Sequence, residues 1–219
     1  MCASIAPIEE KGFHPFEPTL WRQGYAYVAG LDEAGRGAWA GPVFGAVVVL
    51  PPDLSTLESL AEVVRDSKVL SPNRRELAYE AIKASALYIG IGASTPDEID
   101  TLGISRATEL AWLRALRDAD LPDVLLIDAF KIRACSINQV AIVDGDALCL
   151  SIAAASIVAK VSRDRYMASL TEHAPGFSFH KHKGYGTREH QAEIAIYGVT
   201  PQHRRSFAPI STVLGAQHE

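Results

Sequence analysis

The sequence contains few of the features that mark disulfide-rich, zinc-finger or membrane proteins. Only three of its 219 residues are cysteine, and Cys2, Cys135 and Cys149 lie far apart. No metal-type spacing connects them, so we interpret all three as reduced thiols with a mostly structural role. Apolar runs such as "VFGAVVVL" are too short to span a bilayer, and the first residues lack the pattern of a signal peptide. We therefore expect a cytoplasmic protein with no membrane partner.

The chain also lacks the excess of positive charge that is typical of nucleic-acid-binding proteins. Its formal net charge is -5, which argues weakly against such a partner because phosphate binding favours a positive surface. Residues 160–190, however, contain six lysine and arginine residues against three acidic residues. This segment predicts a local basic face, which a protein of negative net charge can still present to a polyanion.

What the chain does have is a mixed α/β pattern of apolar segments. The runs "YAYVAGLD", "VFGAVVVL", "ALYIGIGAS", "DVLLIDA" and "QVAIVDGD" predict strands, and the second is apolar enough to be buried on both faces. Helices are predicted after Ser71-Pro72, from Thr95 onward, and over "LCLSIAAASIVAKVSRDRYMASL". Residues 1–22 contain three prolines and predict a loosely ordered N-terminal arm.

Four acidic residues are predicted to converge at one edge of the sheet. Asp32 and Glu33 end the first predicted strand, Asp128 ends the strand "VLLID", and Asp164 lies on the Ala-rich helix. Adjacent strand residues point to opposite faces, so Asp32 and Glu33 can share a site only if the strand bends or ends there. Clustered carboxylates need cations, and hard oxygen donors favour Mg²⁺ or Mn²⁺. The set therefore indicates two-metal phosphoryl chemistry.

Two other interpretations of these residues must be weighed, and the second fails on sequence alone. Each acid taken singly is more often a turn residue or a helix cap than a catalytic group. A glycine-rich turn after a strand can also bind a dinucleotide. Here the spacing is Gly35-Arg36-Gly37 and then Gly41, followed by a predicted strand, so that fingerprint does not match its required context.

Five blocks together resemble type 2 ribonuclease H, the ribonuclease HII family. They are "GLDEAGRG" with "GPV", then "DSKVLS", "LLIDA", "GDALCLSIAAASIVAKVSRDRYM" and "HKGYGT", in the family's order from about residue 28 to 209. The resemblance implies an α/β, RNase H-like fold with a central five-stranded mixed sheet flanked by helices. It places the catalytic domain at 23–219, with a basic, helical C-terminal region.

The resemblance also implies an activity and a set of site residues. The activity is cleavage of RNA in RNA–DNA hybrids and nicking 5′ of single ribonucleotides in duplex DNA, leaving 3′-hydroxyl and 5′-phosphate ends, as in removal of ribonucleotides during replication and repair. Asp32, Glu33, Asp128 and Asp164 are implied to be the catalytic acids that bind two Mg²⁺ or Mn²⁺ ions. We expect a monomer whose partners are these nucleic acids.

Substrate recognition is implied for residues that carry no catalytic charge. The backbone of Gly35, Arg36 and Gly37 is expected to reach the ribose 2′-hydroxyl, the one sugar group that separates RNA from DNA. Tyr185 is expected to stack on the following deoxyribose, although a packed loop aromatic is the alternative. Ser67 and Lys68 are implied to contact backbone phosphates, although an exposed lysine without such a role is common.

Some residues depart from the family pattern or are interpreted as structural. Trp39 and Ala129 stand where the family usually has a smaller residue and glycine, respectively, and Asp146 is interpreted as structural. We interpret the histidines of the predicted C-terminal loop as loop and surface residues and not as zinc ligands; they are His173, His180, His182 and His190. Two rival functions remain: a non-enzymatic binder of hybrids, and a phosphotransferase of the same fold, for which no nucleotide-type phosphate loop is found.

Overall fold

The fold is built on one five-stranded sheet. The computed structural model describes residues 13–65, 71–119 and 122–215. The strands are β1 (Val28–Ala34), β2 (Val43–Val49), β3 (Tyr88–Ser94), β4 (Val124–Asp128) and β5 (Asn138–Ile142). They lie in the order β3-β2-β1-β4-β5, with β2 antiparallel to β1 and β3 and with β4 parallel to β1 and β5. The mixed five-stranded sheet implied by the resemblance is therefore confirmed.

Helices flank this sheet. Within the described residues, one precedes the first strand, four lie between strands, and the others follow the last strand. In the described ranges they are α1 (Phe16–Arg22), α2 (Leu54–Arg65), α3 (Pro72–Ser85), α4 (Pro96–Leu102), α5 (Ile104–Ala115), α6 (Gly145–Leu148), α7 (Leu150–Leu170), α8 (Phe179–His182), α9 (Arg188–Tyr197) and α10 (Ala208–Gly215). The predicted starts at Pro72 and after Thr95 are confirmed, and Thr95 forms a capping box with Glu98. None of these helices is long and apolar enough to cross a bilayer.

The core has two layers, one on each face of the sheet. All seven residues of β2 are buried, as the apolar run predicts. Because strand side chains alternate, Ala46 and Val48 pack with α7, whereas Val47 and Val49 pack with Trp112 of α5. Burial of each such aliphatic side chain contributes about 1.5 to 3 kcal/mol. The two layers hold α7 and α5 on opposite sides of β1 and β2.

Small residues let α7 lie unusually close to the sheet. A Cβ atom on Gly30 would overlap the backbone of Ser151, the second residue of this helix. Ala153, Ala154 and Ala155, a little farther along the helix, are also buried in the core. This close packing fixes the axis of α7 relative to β1 and hence the position of Asp164 farther along the helix.

Residues 1–12 of the loosely ordered arm predicted over residues 1–22 lie outside the described residues, and part of the remainder is helical. Residues 16–22 form helix α1, and Phe16 and Trp21 pack against the apolar layer around Val28. Glu17 is only 2% exposed, and its Oε1 accepts a hydrogen bond of 2.7 Å from the backbone N–H of Ser151. A carboxylate at this point satisfies an N–H group at the start of α7 and complements the helix dipole. The helix therefore serves as an anchor for α7.

Candidate active site

The two adjacent acids lie within β1 and not at its end, which corrects the sequence prediction. Asp32 pairs with Ala46 and Glu33 with Gly45, and the antiparallel ladder to β2 continues to Ala34. On the other side of β1, the parallel ladder to β4 stops at Leu31. Both acids therefore lie just beyond the point where β1 and β4 separate, which opens one side of the strand.

Asp32 and Glu33 point to opposite faces because the strand is regular there. Asp32 lies on the face of Gly30 and Ala34, toward α7, and a hydrogen bond from Ser156 of that helix reaches it. Glu33 lies on the other face, that of Leu31. The strand ends at Ala34 and the chain turns at Arg36 and Gly37, so the predicted bend follows both acids, and any ligand shared by them must lie at the sheet edge.

Asp32 is a buried carboxylate with few compensating contacts. Its side chain is 6% exposed, and its Oδ1 accepts a 2.7 Å hydrogen bond from the N–H of Glu33. The indole of Trp112 donates to its backbone oxygen at 2.9 Å, which holds the strand from the α5 side. Burial, and secondly the charge of Glu33, raises the pKa of Asp32 well above its usual value. A cation at this point would remove that penalty.

The carboxylate of Glu33 is likewise buried with little positive charge to compensate it. Its Oε1 lies 3.3 Å from Nη1 of Arg36, whereas its Oε2 is buried without a hydrogen-bond partner among the described residues. Burial raises the pKa of Glu33 to about 7; Arg36 opposes this rise, and the charges of Asp128 and Asp146 add to it. An orphaned buried carboxylate oxygen beside other acids is the environment that a bound cation would satisfy.

Asp128 ends β4 as predicted and is held by the turn that follows β5. Its Oδ1 accepts a 2.8 Å hydrogen bond from the N–H of Gly145 at the start of α6. Its charge acts on both Asp32 and Glu33, so the structure brings these three acids together. Asp146 also acts on Glu33, so this acid, interpreted from the sequence as structural, belongs to the electrostatic environment of the site.

The residue after Asp128 has a backbone conformation that costs energy. Ala129 has φ of 62°, in the left-handed region that glycine adopts freely, and this is the position where the family usually has glycine. We expect Ala129→Gly to raise the free energy of unfolding by about 0.5 kcal/mol, since relief of about 1 kcal/mol of strain is partly offset by a more flexible unfolded chain.

Denaturant titration measures this change, and a matched substitution gives the opposite sign. Ala84 is exposed on helix α3, where alanine is the preferred residue. Ala84→Gly should therefore lower the free energy of unfolding by about 1 kcal/mol. Equal destabilisation by both substitutions would show that the turn after Asp128 does not strain Ala129.

Asp164, the fourth predicted acid, is held by basic residues. Its Oδ1 lies 2.7 Å from Nζ of Lys160 on the same helix, and its Oδ2 lies 3.6 Å from Nη1 of Arg75 on α3. Within the described ranges, no three His, Cys, Asp or Glu side chains are arranged as a ready cage for one ion. Asp164 would therefore have to exchange these ion pairs for a metal ligand role.

The donor chemistry at this edge of the sheet fits a hard divalent cation. The available donors are carboxylate oxygens, which Mg²⁺ and Mn²⁺ prefer, and Mg²⁺ takes only one or two of them while keeping water or phosphate ligands. The buried Oε2 of Glu33 and the raised pKa of Asp32 both indicate missing positive charge. The residues present therefore fit the metal that the sequence predicts.

The turn at Gly35-Arg36-Gly37 rests on buried arginines. Gly35 has φ of 95°, and a Cβ atom there would overlap the guanidinium of Arg163, so only glycine fits. Arg163 is fully buried and donates to the backbone oxygens of Ala40 and Pro42 at 3.1 and 3.0 Å. Arg204, also fully buried, donates to the backbone oxygen of Arg36 at 2.9 Å. The two buried guanidinium groups therefore fix the backbone of this turn.

The sequence counts Arg163 toward a local basic face, which its burial contradicts, and assigns Arg204 no role. Arg163 lies within the block "SRDRYM" and Arg204 within "HRRSF", but basic residues in such blocks are usually exposed. Only contacts across long sequence separations show that both bind carbonyl oxygens. The one usable signal was the position of Arg163, directly before Asp164 on a helix whose neighbouring residues are small and apolar.

Tyr185 and Trp39 connect this turn to the loop after α8. The backbone N–H of Trp39 donates to the oxygen of Gly184 at 2.8 Å, and the indole lies where a Cβ on Gly186 would be. The ring of Tyr185 lies 5.3 Å from the guanidinium carbon of Arg163 and 5.5 Å from Nζ of Lys160. Trp39, which the sequence left unexplained, therefore packs the glycine turn and the Tyr185 loop together.

Other predicted residues have a mixed outcome. Ser67 and Lys68 lie outside the described residues. His173 and His180 are exposed as predicted, but His182 and His190 are buried, so their interpretation as loop and surface residues was wrong. Their burial follows from packing on Phe179, which the sequence pattern of a basic loop does not reveal.

Comparison with known sequences gives the same family as the motifs. The family model for ribonuclease HII matches residues 29–210. A ribonuclease HII from Dehalococcoides mccartyi is 49% identical over 198 residues, covering 90% of this chain and 93% of the relative. A ribonuclease HII from Chloroflexus aurantiacus is 48% identical over 201 residues, covering 90% and 94%.

Solved structures share the fold. The crystal structure of ribonuclease H2 from Pyrococcus horikoshii has a TM-score of 0.73 at 25% identity, covering 88% of this chain and 99% of that one. Bst-RNase HIII, solved in complex with Mn²⁺, has a TM-score of 0.65 at 19% identity, covering 87% and 70%, and supports the fold alone. Family model, relatives and fold agree: this chain belongs to the ribonuclease HII family and is a ribonuclease H, a hydrolase of the endoribonuclease type.

Proposed function

We propose that this enzyme cleaves the RNA strand of RNA–DNA hybrids and nicks duplex DNA on the 5′ side of single embedded ribonucleotides, leaving 3′-hydroxyl and 5′-phosphate ends. The observation that carries the proposal is the connection between the acids and the reading elements. Asp32 and Glu33 precede the Gly35–Gly37 turn by a few residues, and Arg163 supports that turn while contacting Tyr185. The elements proposed for cleavage and for recognition of the sugar are thus held by the same buried residue, Arg163.

The acids at the sheet edge are proposed to hold two Mg²⁺ or Mn²⁺ ions. Asp32, Glu33, Asp128 and Asp164 are the donors, and the unpaired Oε2 of Glu33 supports a cation between them. When bound, such ions supply Lewis-acid activation of water and stabilise charge on the leaving oxygen. The chain itself contributes the carboxylates in fixed positions and a buried setting that excludes bulk water from Asp32.

The lysine side chains near Asp164 are suited to bind the phosphates on either side of the cleaved bond. Lys160 binds Asp164, and Nζ of Lys183 donates to the backbone oxygen of Asp164 at 3.3 Å. Both lysines lie in the segment whose excess of basic residues predicts a local positive face. A phosphate arriving here would exchange the ion pair of Lys160 for a phosphate contact and release Asp164 for the metal.

Recognition of the ribonucleotide is assigned to backbone and aromatic groups. The exposed turn at Gly37 lets the main chain approach the 2′-hydroxyl, and Tyr185 is proposed to stack on the next deoxyribose. Ser67 and Lys68 remain proposed phosphate contacts on the basis of the resemblance alone. A monomer working in the cytoplasm on DNA replication and repair products remains a prediction.

The decisive experiment is a nicking assay on duplex DNA containing one ribonucleotide. We expect Mg²⁺- or Mn²⁺-dependent nicking 5′ of that nucleotide, with no cleavage of the matched all-DNA duplex and with ends that a DNA ligase reseals before, but not after, removal of the 5′-phosphate. Binding of the duplex that persists in EDTA without any nicking under Mg²⁺ or Mn²⁺ would contradict the proposal and favour a non-enzymatic hybrid binder.

Gly37→Ala separates substrate approach from folding. A Cβ atom at Gly37 would meet nothing within 4 Å, and its φ is not in the left-handed region. The free energy of unfolding should therefore be unchanged or up to about 1 kcal/mol higher. Activity should fall at least about tenfold in kcat/KM, because the added methyl group occupies the surface against which the ribose must lie.

Gly215→Ala is the matched control for this substitution. Gly215 at the end of α10 also has open space around a built Cβ atom and an ordinary φ. Its replacement should change neither nicking nor stability appreciably. Gly35→Ala is not informative, because it would disturb Arg163 and the fold itself. Full activity of Gly37→Ala would exclude close approach of the ribose to this turn.

A further inference from the structure

Three buried histidines lie behind the loop that carries Tyr185. His190 and His203 are 0% and 1% exposed, and His182 is 6% exposed. The rings of His182 and His190 stack with centroids 4.3 Å apart, and the rings of Phe177 and Phe179 enclose them. In the described part of the chain these histidines do not form a metal-binding group. Their nitrogens are used in hydrogen bonds instead.

The hydrogen bonds decide which nitrogen carries the single proton of His203 and of His190. The backbone N–H of Thr200 can only donate, and it points to Nδ1 of His203 at 3.1 Å. The proton of a neutral His203 is therefore on Nε2, which lies 3.1 Å from Nε2 of His190. His190 must accept there, so its own proton is on Nδ1, which donates to the backbone oxygen of Tyr185 at 3.0 Å. All of these hydrogen bonds are therefore donated in the same direction, from Thr200 through His203 and His190 to Tyr185.

His182 binds the peptide between Lys183 and Gly184, one peptide farther from Tyr185, by the same logic. The N–H of Gly184 donates to its Nδ1 at 3.1 Å, so the proton on Nε2 is donated to Oε2 of Glu193 at 2.8 Å. The oxygen of Gly184 accepts from the N–H groups of Trp39 and Ala40. The peptides on both sides of the Tyr185 Cα atom are therefore held by buried imidazoles or by the turn segment.

This chain of hydrogen bonds from Thr200 through His203 and His190 to Tyr185, which we call the relay, requires both imidazole rings to be neutral. Burial lowers the pKa of both His190 and His203 to about 4, so neither ring carries a second proton at pH 7. A second proton on His190 would place two N–H groups against each other at the contact with His203. The arrangement is thus a single set of tautomers with no freedom to reverse.

We propose that His190 and His203 are positioning residues for Tyr185, because their one-directional relay of hydrogen bonds fixes the Tyr185 peptide and thereby the ring that reads the sugar after the cut. This inference rests on the proposed function, in which Tyr185 stacks on the deoxyribose that follows a ribonucleotide. Neither histidine touches the substrate or the acids. Their effect is on the choice between substrates, not on the chemical step.

The test compares two substrates in the full-length protein. The ratio of kcat/KM for a duplex with one ribonucleotide to that for a uniform RNA–DNA hybrid reports how well the junction is read. His190→Leu removes one of two donors to the backbone oxygen of Tyr185, leaving the N–H of Thr187 at 2.8 Å, and should lower this ratio about tenfold, the effect of one lost hydrogen bond in a buried setting. His190→Asn retains a side-chain N–H near the position of Nδ1 and should restore most of the ratio.

The outcomes separate this inference from the proposed function. Absence of nicking on the single-ribonucleotide duplex by the unaltered protein contradicts the proposed function. Normal nicking together with an unchanged ratio in His190→Leu contradicts the inference alone. His173→Leu, an exposed histidine outside the relay, is the control and should leave the ratio unchanged.

A second measurement needs no substitution and so does not depend on a variant folding. Long-range ¹H–¹⁵N spectra of the unaltered protein at pH 7 distinguish protonated from unprotonated ring nitrogens. We expect His190 protonated at Nδ1 and His203 at Nε2, both neutral. Protonation of His190 at Nε2, or a doubly protonated ring at either position, would overturn the relay.

Discussion

Asp32→Asn is expected to abolish nicking while leaving the protein at least as stable as before. Asn keeps the shape and a hydrogen-bond acceptor, but it removes the charge that the proposed metal ions require. We expect kcat on the single-ribonucleotide duplex to fall by at least about a thousandfold. Because burial raises the pKa of Asp32, the ionised side chain costs folding energy at pH 7, and the neutral amide does not.

The combination of lost activity and retained stability is what identifies a functional charge. A residue kept for structure would lose stability when altered, whereas this one should gain it or show no change. Asp144→Asn is the control, since Asp144 is exposed in the turn before α6 and its left-handed φ of 53° suits asparagine. Nicking by Asp32→Asn at more than a few per cent of the normal rate would remove Asp32 from the catalytic set.

The second large effect is a metal-dependent change of stability with pH that Glu33 causes. The pKa of Glu33 rises from 4.5 to about 7 on folding, mainly through burial. A carboxyl whose pKa is raised in the folded state stabilises the fold fully below pH 4.5, and this contribution is lost as the pH rises through 7. At about 1.4 kcal/mol for each pH unit, the metal-free protein should lose roughly 3 kcal/mol of unfolding free energy from this group.

Two histidines act with the opposite sign and must be separated from Glu33. Burial lowers the pKa of His190 and His203 from 6.5 to about 4, so their neutral forms add stability as the pH rises from 4 to 6.5. The informative quantity is therefore the difference between the unaltered protein and Glu33→Gln in EDTA. That difference should grow in favour of Glu33→Gln between pH 4.5 and 7 and then stay constant.

Divalent cations should reverse this loss. At pH 8, Mg²⁺ or Mn²⁺ should raise the melting temperature of the unaltered protein by several degrees, since 1 kcal/mol corresponds to about 2–4 °C in a chain of this size. The same ions should have little effect on Asp32→Asn. An equal rise in both proteins would mean that the cation binds elsewhere, and a flat difference curve in EDTA would mean that Glu33 is not destabilised by burial.

The local patterns that defined the elements were sufficient to predict most of the sheet. All five strands follow from short apolar runs, and β2 shows why: "VFGAVVV" is apolar throughout and is buried throughout. The order of five motif blocks was sufficient to predict the family and hence the strand arrangement. The helix start at Thr95 is likewise a local signal, because a capping box involves residues only three positions apart.

Predictions that depended on the direction of a side chain were less successful. Adjacent acids with glycines after them predicted that the strand bends or ends there; the turn comes only after Ala34, because β2 extends the ladder that far and keeps Asp32 and Glu33 on opposite faces. The arm expected over residues 1–22 contains helix α1 because Glu17 is bound to the start of α7, more than a hundred residues away in the chain. No local pattern contains that partner.

The sequence by itself determined the family, the five strands and three of the acids that meet at the sheet edge, because these depend on residue type and on spacing along the chain. Only the tertiary structure decided that Arg163 and Arg204 lie beneath the glycine turn, that Trp39 joins this turn to the Tyr185 loop, and that buried histidines hold that loop. The physical reason is the same in each case. A buried polar group must find a partner, and the partner is chosen by packing in three dimensions, not by neighbours in sequence.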